Sequence, residues 1–225
     1  MKQRAFTLAE VLITLCVIGV VAAITLPILL TKINDRIMIN KLKKFYSTMA
    51  QAVKLNEQEN PDGYYTKEHL LDVFTIKTIC TENDTSCAPQ KYKKYNGSNA
   101  TNWGINDDQK TTANYAILAD GSIIRYTAHV GNKTITDSCN GVMGTSEALS
   151  SICSEVSVDL NGKTPPNTLG KDVFFFYITA HGVIPFGNKD ITYENSKFSK
   201  CRTTGYGCAA YALLFETFDY TKNNF

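Results

Sequence analysis

The chain has 225 residues, 23 of them basic and 21 acidic, for a formal net charge of +2. Such a balance gives no strong electrostatic pull toward nucleic acid or lipid headgroups. No internal repeat or low-complexity tract is present, and roughly 165 residues beyond the first predicted helix suffice for one domain with its own core.

Residues 1–5, Met-Lys-Gln-Arg-Ala, form a short basic leader, and Val11 to Leu30 is almost wholly apolar. A stretch of about 20 apolar residues is long enough to span a bilayer. It is too long for the apolar core of a secretory signal peptide, and it has no polar face, which excludes an amphipathic surface helix. Glu10 lies just inside this segment. An ionised carboxylate at bilayer depth costs roughly 2.5–3.5 kcal/mol even on the lenient insertion scale, so an intramembrane acid implies a partner for its charge. Lys2 and Arg4 precede the span, so the positive-inside rule puts the N-terminus in the cytoplasm and everything after the span outside.

Arg4-Ala5-Phe6-Thr7-Leu8-Ala9-Glu10-Val11-Leu12-Ile13 resembles the class III signal sequence of type IV pilins and type II secretion pseudopilins. Ala5 stands where that family usually has Gly. The resemblance covers about thirty residues and rests on leader charge, Phe, Glu and apolar run occurring in register. It implies that a prepilin peptidase cuts between Ala5 and Phe6 and methylates the new amine of Phe6. It implies that Glu10 serves assembly by pairing with that amine on a neighbouring copy. It further implies partners in homologous pilin subunits, an inner-membrane assembly platform and the lipid bilayer, and a product in the periplasm or on the cell surface. Loss of residues 1–5 leaves 21 basic against 21 acidic side chains, so the processed chain carries no strong nucleic-acid signal. The alternative is an extracytoplasmic binding domain that uses the helix only as a tether.

Pro27 falls where the family commonly places one, and it is expected to kink or locally melt the helix because it lacks an N–H. Beyond it the pattern becomes amphipathic. Ile33, Ile37, Leu42, Phe45, Met49 and Val53 recur at spacings of three to five, the signature of one buried face. Asn60-Pro61-Asp62-Gly63 ends the helix. The expected organisation is therefore a leader (1–5), a transmembrane or filament-core helix (6–30), its amphipathic continuation (31–60) and a globular pilin-like head (61–225). The fold class is α+β, a long N-terminal helix packed on an antiparallel sheet.

In the head, a short helix is expected around Lys67 to Phe74, carrying His69, followed by a polar loop over 81–112 that Trp103 anchors. Tyr115–Leu118 and Ser122–Ala128, separated by Ala119-Asp120-Gly121, read as a hairpin, since Asp-Gly between apolar runs is a strong turn signal. Glu155–Leu160 alternates as a strand. Val173–Thr179 reads as a buried strand, turned by His181-Gly182 into Val183–Phe186. Ala209–Glu216 fits either a short helix or a last strand. His129 and His181 have no nameable catalytic partner, and no GxSxG, HExxH, Walker A or Rossmann signature occurs, so the chain is not read as an enzyme. Lys91, Lys93 and Lys94 read as a solvated loop.

Of seven cysteines, Cys16 lies in the apolar helix as a small packing residue. The other six, Cys80, Cys87, Cys139, Cys153, Cys201 and Cys208, form an even set in an exported domain, which suggests three disulfides. Fifteen pairings are open, of which the sequence-local set 80–87, 139–153 and 201–208 is favoured. Zinc is disfavoured because there is no CxxC and there are only three His.

Asp159-Leu-Asn161-Gly162, Pro166-Asn167, Gly170, Asp172 and Phe174 resemble a D-x-N-G … P-N-x-x-G-x-D-x-F segment that recurs in pilin-like proteins with this N-terminus. Some pseudopilins hold calcium in a loop after the sheet, and Asp159, Asn161 and Asp172 offer hard oxygens of the kind calcium takes. The same residues stabilise tight turns, and that is the favoured reading; no cofactor is otherwise expected.

Overall fold

A computed structural model describes residues 7–59, 71–80, 87, 91–100, 114–127, 129–130, 133–134 and 139–221. Trp103, His69 and the first half (67–70) of the expected 67–74 helix lie outside these, as do Ala5 and Phe6. The chain divides into two compact units, residues 1–37 and 38–225. Helix α1, Leu8–Glu59, contributes to both.

In the first unit every described side chain is exposed except the half-buried Ala22. The apolar ones include Leu12, Ile18, Ile24 and Leu29, and α1 is long and apolar enough to cross a bilayer. Pro27 does not melt it: the helix runs on through Pro27. One missing N–H interrupts the ladder at a single rung, while helical turns on either side remain bonded. The hydroxyls of Thr14, Thr25 and Thr31 donate to the carbonyls of Val11, Val21 and Pro27 at 2.9, 2.9 and 3.0 Å, so they satisfy themselves within the helix, as an apolar solvent demands.

In the second unit, α1 buries Ile39, Leu42, Phe45, Met49, Ala52, Val53 and Asn56, spaced three and four apart. Ile33 and Ile37, which share this period, are exposed and belong to the first unit. The stripe packs on a six-stranded antiparallel sheet of order β1-β4-β5-β8-β9-β10, comprising Ile76–Cys80, Asn114–Leu118, Ile123–Thr127, Ile152–Asp159, Val173–Thr179 and Gly182–Pro185. The remaining strands are the two-residue pairs β2–β3 (Tyr92–Lys93 and Asn99–Ala100) and β6–β7 (His129–Val130 and Lys133–Thr134).

Strands β2 and β3 correct the expectation of one long loop over 81–112, and β1 follows the expected 67–74 helix, where the sequence announces no strand. β1 is an edge strand whose middle three residues are exposed, so it lacks an apolar pattern and is fixed by pairing with β4. The β4–β5 hairpin turns at Gly121, with φ of 84°, a left-handed conformation that glycine adopts without steric cost. Asp120 locks the turn by accepting from the Ser122 N–H at 3.0 Å and from its hydroxyl.

The sheet is covered on both faces. On one, Ile124, Val156, Val158, Phe174, Phe176 and Ile178 meet the α1 stripe. Phe176 stacks near Phe45 with ring centroids 5.5 Å apart. On the other, Ile123, Phe175 and Tyr177 lie under Leu149, Phe186 and Ile191. β9 is therefore buried at all seven positions, which is why it reads as a continuous apolar run rather than an alternation.

Three disulfides join Cys80 to Cys87, Cys139 to Cys153 and Cys201 to Cys208, while Cys16 is free and exposed. After the last disulfide, Ala209–Phe215 forms a short helix, α2. Its start is tied to β10 by the Ala210 N–H donating to the Phe186 carbonyl at 2.9 Å. Gly205 in the disulfide loop has φ of 91°, and a Cβ there would stand 2.3 Å from the Leu169 carbonyl oxygen.

The two-sided core sets an expectation for its central strand. Phe176→Ala removes a fully buried ring and should cost the head about 3–5 kcal/mol. Ile79→Ala, at a site 60% exposed on the sheet edge, should change stability by less than about 0.5 kcal/mol. Chemical denaturation of the two variants checks the contrast.

Candidate functional site

The N-terminal end of α1 is built around one acid. Glu10 is the only charged residue between Thr7 and Thr31. Its Oε2 accepts from the Thr7 backbone N–H at 2.8 Å and from the Thr7 hydroxyl at 2.9 Å. In return the Glu10 N–H donates to Thr7 Oγ1 at 3.3 Å, and the Val11 N–H donates to the Thr7 carbonyl at 3.3 Å. This is a reciprocal capping box, with Thr7 at the N-cap and Glu10 at the third helical position. The carboxylate also lies at the positive end of the helix dipole.

Sequence reasoning found Glu10 from hydropathy but missed Thr7. The missed signal was present, since Thr-Leu-Ala-Glu has the S/T-x-x-E spacing of a capping box. Among the described residues no cation pairs with Glu10, and its Oε1 accepts no hydrogen bond. Leu8, Leu12 and Ile13 around it are 79, 59 and 64% exposed. The end of the helix thus presents one carboxylate oxygen inside an apolar surface. Chemically, such a group can accept from a cationic N–H donor brought by another chain.

The second cluster lies where β8 hands over to β9. Asp159 and Asp172 are buried at 0 and 3% exposure. The structure brings them together with Asn161, and every carboxylate oxygen accepts a hydrogen bond from the chain. Asp159 Oδ1 takes the Asn161 N–H at 3.3 Å, and Oδ2 takes the Tyr92 hydroxyl at 3.1 Å. Asp172 Oδ1 takes the Thr168 N–H at 2.6 Å, and Oδ2 takes the Asn161 Nδ2 at 3.1 Å. Asn161 therefore turns its amide N–H, rather than its carbonyl, toward Asp172. Gly162 and Asn167 have left-handed φ values of 60 and 47°, and both residue types tolerate that region. The arrangement is that of a hydrogen-bonded turn. Among the described residues no group of three or more His, Cys, Asp or Glu is placed to hold a metal, and a calcium ion takes six to eight oxygens.

His181 is an exposed turn residue whose N–H donates to Thr179 Oγ1 at 3.2 Å, and His129 opens β6. Lys91 and Lys93 are exposed and Lys94 is half-buried beside the β2–β3 hairpin. None of these residues converges with another on a common site.

Burial has an electrostatic consequence. It pushes the Asp159 carboxyl from its ordinary 3.8 up to about 8, with the neighbouring Asp172 charge adding to the rise. It also pushes Asp172 up to about 6. Between about pH 4 and 8 the folded head therefore holds protons that the unfolded chain has released. Stability should rise as pH falls through that window, by up to ~1.4 kcal/mol per pH unit for each such group. Thermal unfolding at pH 5 and pH 8 tests this. The wild type should melt higher at pH 5, and Asp159→Asn should narrow the difference.

Comparison with known proteins adds two findings. Residues 1–26 match the prokaryotic N-terminal methylation motif, and residues 28–209 match the family of unknown function DUF6613. No curated protein and no solved structure matches the chain. The first match is the prepilin-type signal of type IV pilins and pseudopilins, and the long helix followed by an antiparallel sheet agrees with the pilin fold. The chain is accordingly a pilin-like or pseudopilin-type subunit with an apolar N-terminal anchor and a C-terminal head. By its extent over the helix and nearly all of the head, the second match places the chain in the DUF6613 family.

Proposed function

We propose that this protein is a structural subunit of a type IV pilus-like or type II secretion pseudopilus filament, processed by a prepilin peptidase between Ala5 and Phe6. The observation that carries the reading is Glu10, a single carboxylate at the head of an exposed apolar helix with no cation beside it among the described residues. In a monomer the Thr7 cap lowers the cost of that charge by supplying two donors to Oε2. In a filament the methylated amine of Phe6 on a neighbouring copy supplies a full countercharge. Lys2 and Arg4 hold the uncut N-terminus in the cytoplasm, so cutting occurs on that side and the head stays outside.

The pairing acts chiefly on register. A buried ion pair contributes little net stability once desolvation is counted, but leaving one charge unpaired is strongly unfavourable. Only the axial offset that brings Phe6 to a neighbour's Glu10 escapes that penalty, while the apolar surface of residues 8–30 supplies cohesion at many offsets. The role is structural rather than catalytic. The assembly platform and homologous subunits are the partners it requires.

Two measurements test the proposal. Mass spectrometry of the mature protein should show a chain that begins at an N-methylated Phe6; an intact Met1 would point to a simple tethered domain. Glu10→Ala should insert in the membrane normally and yield no filaments. Thr7→Val, which removes a cap worth about 1 kcal/mol, should lower filament yield without abolishing it, as scored by electron microscopy of sheared fractions.

A further inference from the structure

A cleft of about 230 Å³ opens on the head between α1 and the β4–β5 turn, and the filament reading makes no use of it. One wall is a single stretch of α1. Lys41, Lys44, Phe45 and Thr48 line it, and their spacing of three and four puts them on one helix face. At about 1.5 Å per residue this wall is roughly 10 Å long. The other wall is formed by residues 73–75 and the turn after β4. The Ala119 N–H donates to the Thr75 carbonyl at 2.8 Å, which ties those two segments together.

Along α1 the lining passes from charged to apolar. The Lys41 ammonium donates to the Leu160 carbonyl at 2.8 Å and is fixed there. Lys44, nearly one turn further on, has no ion-pair partner among the described residues. Both ammonium groups act through space on the carboxylate of Asp120 in the opposite wall. The Asp120 Oδ1 is already committed to the N–H and hydroxyl of Ser122. Two cations against one acid leave one positive charge in excess. Beyond the lysines, Phe45 stacks on Phe74 with ring centroids 5.6 Å apart. Val73 and Phe74 are only half-buried, so apolar surface in the cleft stays open to a ligand.

A cavity of about 150 Å³ is enough for a benzene molecule, so this cleft takes one aromatic ring with a short polar extension. A ring placed against Phe45 and Phe74 gains the offset or edge contacts that aromatic groups favour. An acid on the same molecule reaches the excess ammonium, and one negative charge neutralises it. A second acid group would meet Asp120 with no cation left over.

We propose that this cleft binds a small free aromatic monocarboxylate, with its ring on Phe45 and Phe74 and its carboxylate beside Lys44. The site lies wholly within the second unit, so its failure would leave the filament reading intact.

Saturation-transfer NMR on the full-length protein in non-ionic detergent tests it. Phenylpropionate is the probe, and phenylpropanol is the uncharged control. The acid should give a saturable signal with a dissociation constant on the order of 1 mM or lower. The alcohol should bind at least about threefold more weakly. Lys44→Glu reverses an exposed charge without touching the core, and it should weaken the acid about tenfold. Thr48→Phe fills the apolar part of the cleft and should abolish the saturable signal, with wild-type thermal unfolding as the check that the head is intact. Equal affinity for acid and alcohol, or an affinity unchanged in Lys44→Glu, overturns the proposal. So does a signal that never saturates, as partition into micelles would give, or the absence of any signal.

Discussion

A carboxylate cannot stand bare in hydrocarbon, and this constraint governs the N-terminal unit of the molecule. Glu10 meets it in part through its own helix. Thr7 lends Oε2 an amide and a hydroxyl, and the first turn adds the positive end of its dipole. These interactions leave the charge in place and one oxygen uncommitted. The threonines further along α1 behave differently, since each hydroxyl closes on a carbonyl of the preceding turn. From Thr7 to Thr31 the helix thus has one charged group, and it lies at the end that carries the N-terminal methylation motif.

The head solves a different problem. A six-stranded sheet has two faces to cover, and α1 covers one. The other is closed by loops and short helical turns, whose backbone polar groups must be satisfied where they go under. That is the role of the polar residues gathered at the β8–β9 connection. Asp159 and Asp172 accept from Tyr92, Thr168 and Asn161, and the Lys93 N–H donates to the Asn167 carbonyl while the Lys93 carbonyl accepts from the Leu169 N–H. The cost is the burial of two carboxyls close together, which is why both hold their protons far above the usual range.

Much of this was legible in the sequence, and the parts that were not share a cause. The apolar run, the three-to-four spacing after it and the Asp-Gly turn between β4 and β5 are local signals, and each produced the element it announced. Val173–Thr179 announced a buried strand because both its faces are covered. By contrast, β1 has three exposed residues in five and exists through its partner β4, which no local pattern reveals. Ile33 and Ile37 carry the same period as Leu42 and Phe45, yet they are exposed. Periodicity shows that a face is apolar and is silent about what covers it. For the candidate site, hydropathy picked out Glu10, while Thr7 went unread although its spacing to Glu10 is that of a known cap.

Arg125 shows the limit most clearly. Within Ile-Ile-Arg-Tyr-Thr it occupies the alternate position of a hairpin strand, where a polar residue ordinarily faces water. That inference assumes a one-sided sheet. The assumption fails here because the loops near Leu149, Phe186 and Ile191 close over the second face, and they come from sequence far from β5. Once that face is covered, a residue that reads as solvated becomes a buried cation. Two acids, Glu155 and Asp159, stand two residues either side of the position opposite it on β8, and the hydroxyl at that position, Ser157, has no partner. A two-sided sheet therefore changes the meaning of every polar residue on its outer face. Those that find partners, such as Asp159 with Tyr92, fasten the covering loops to the sheet.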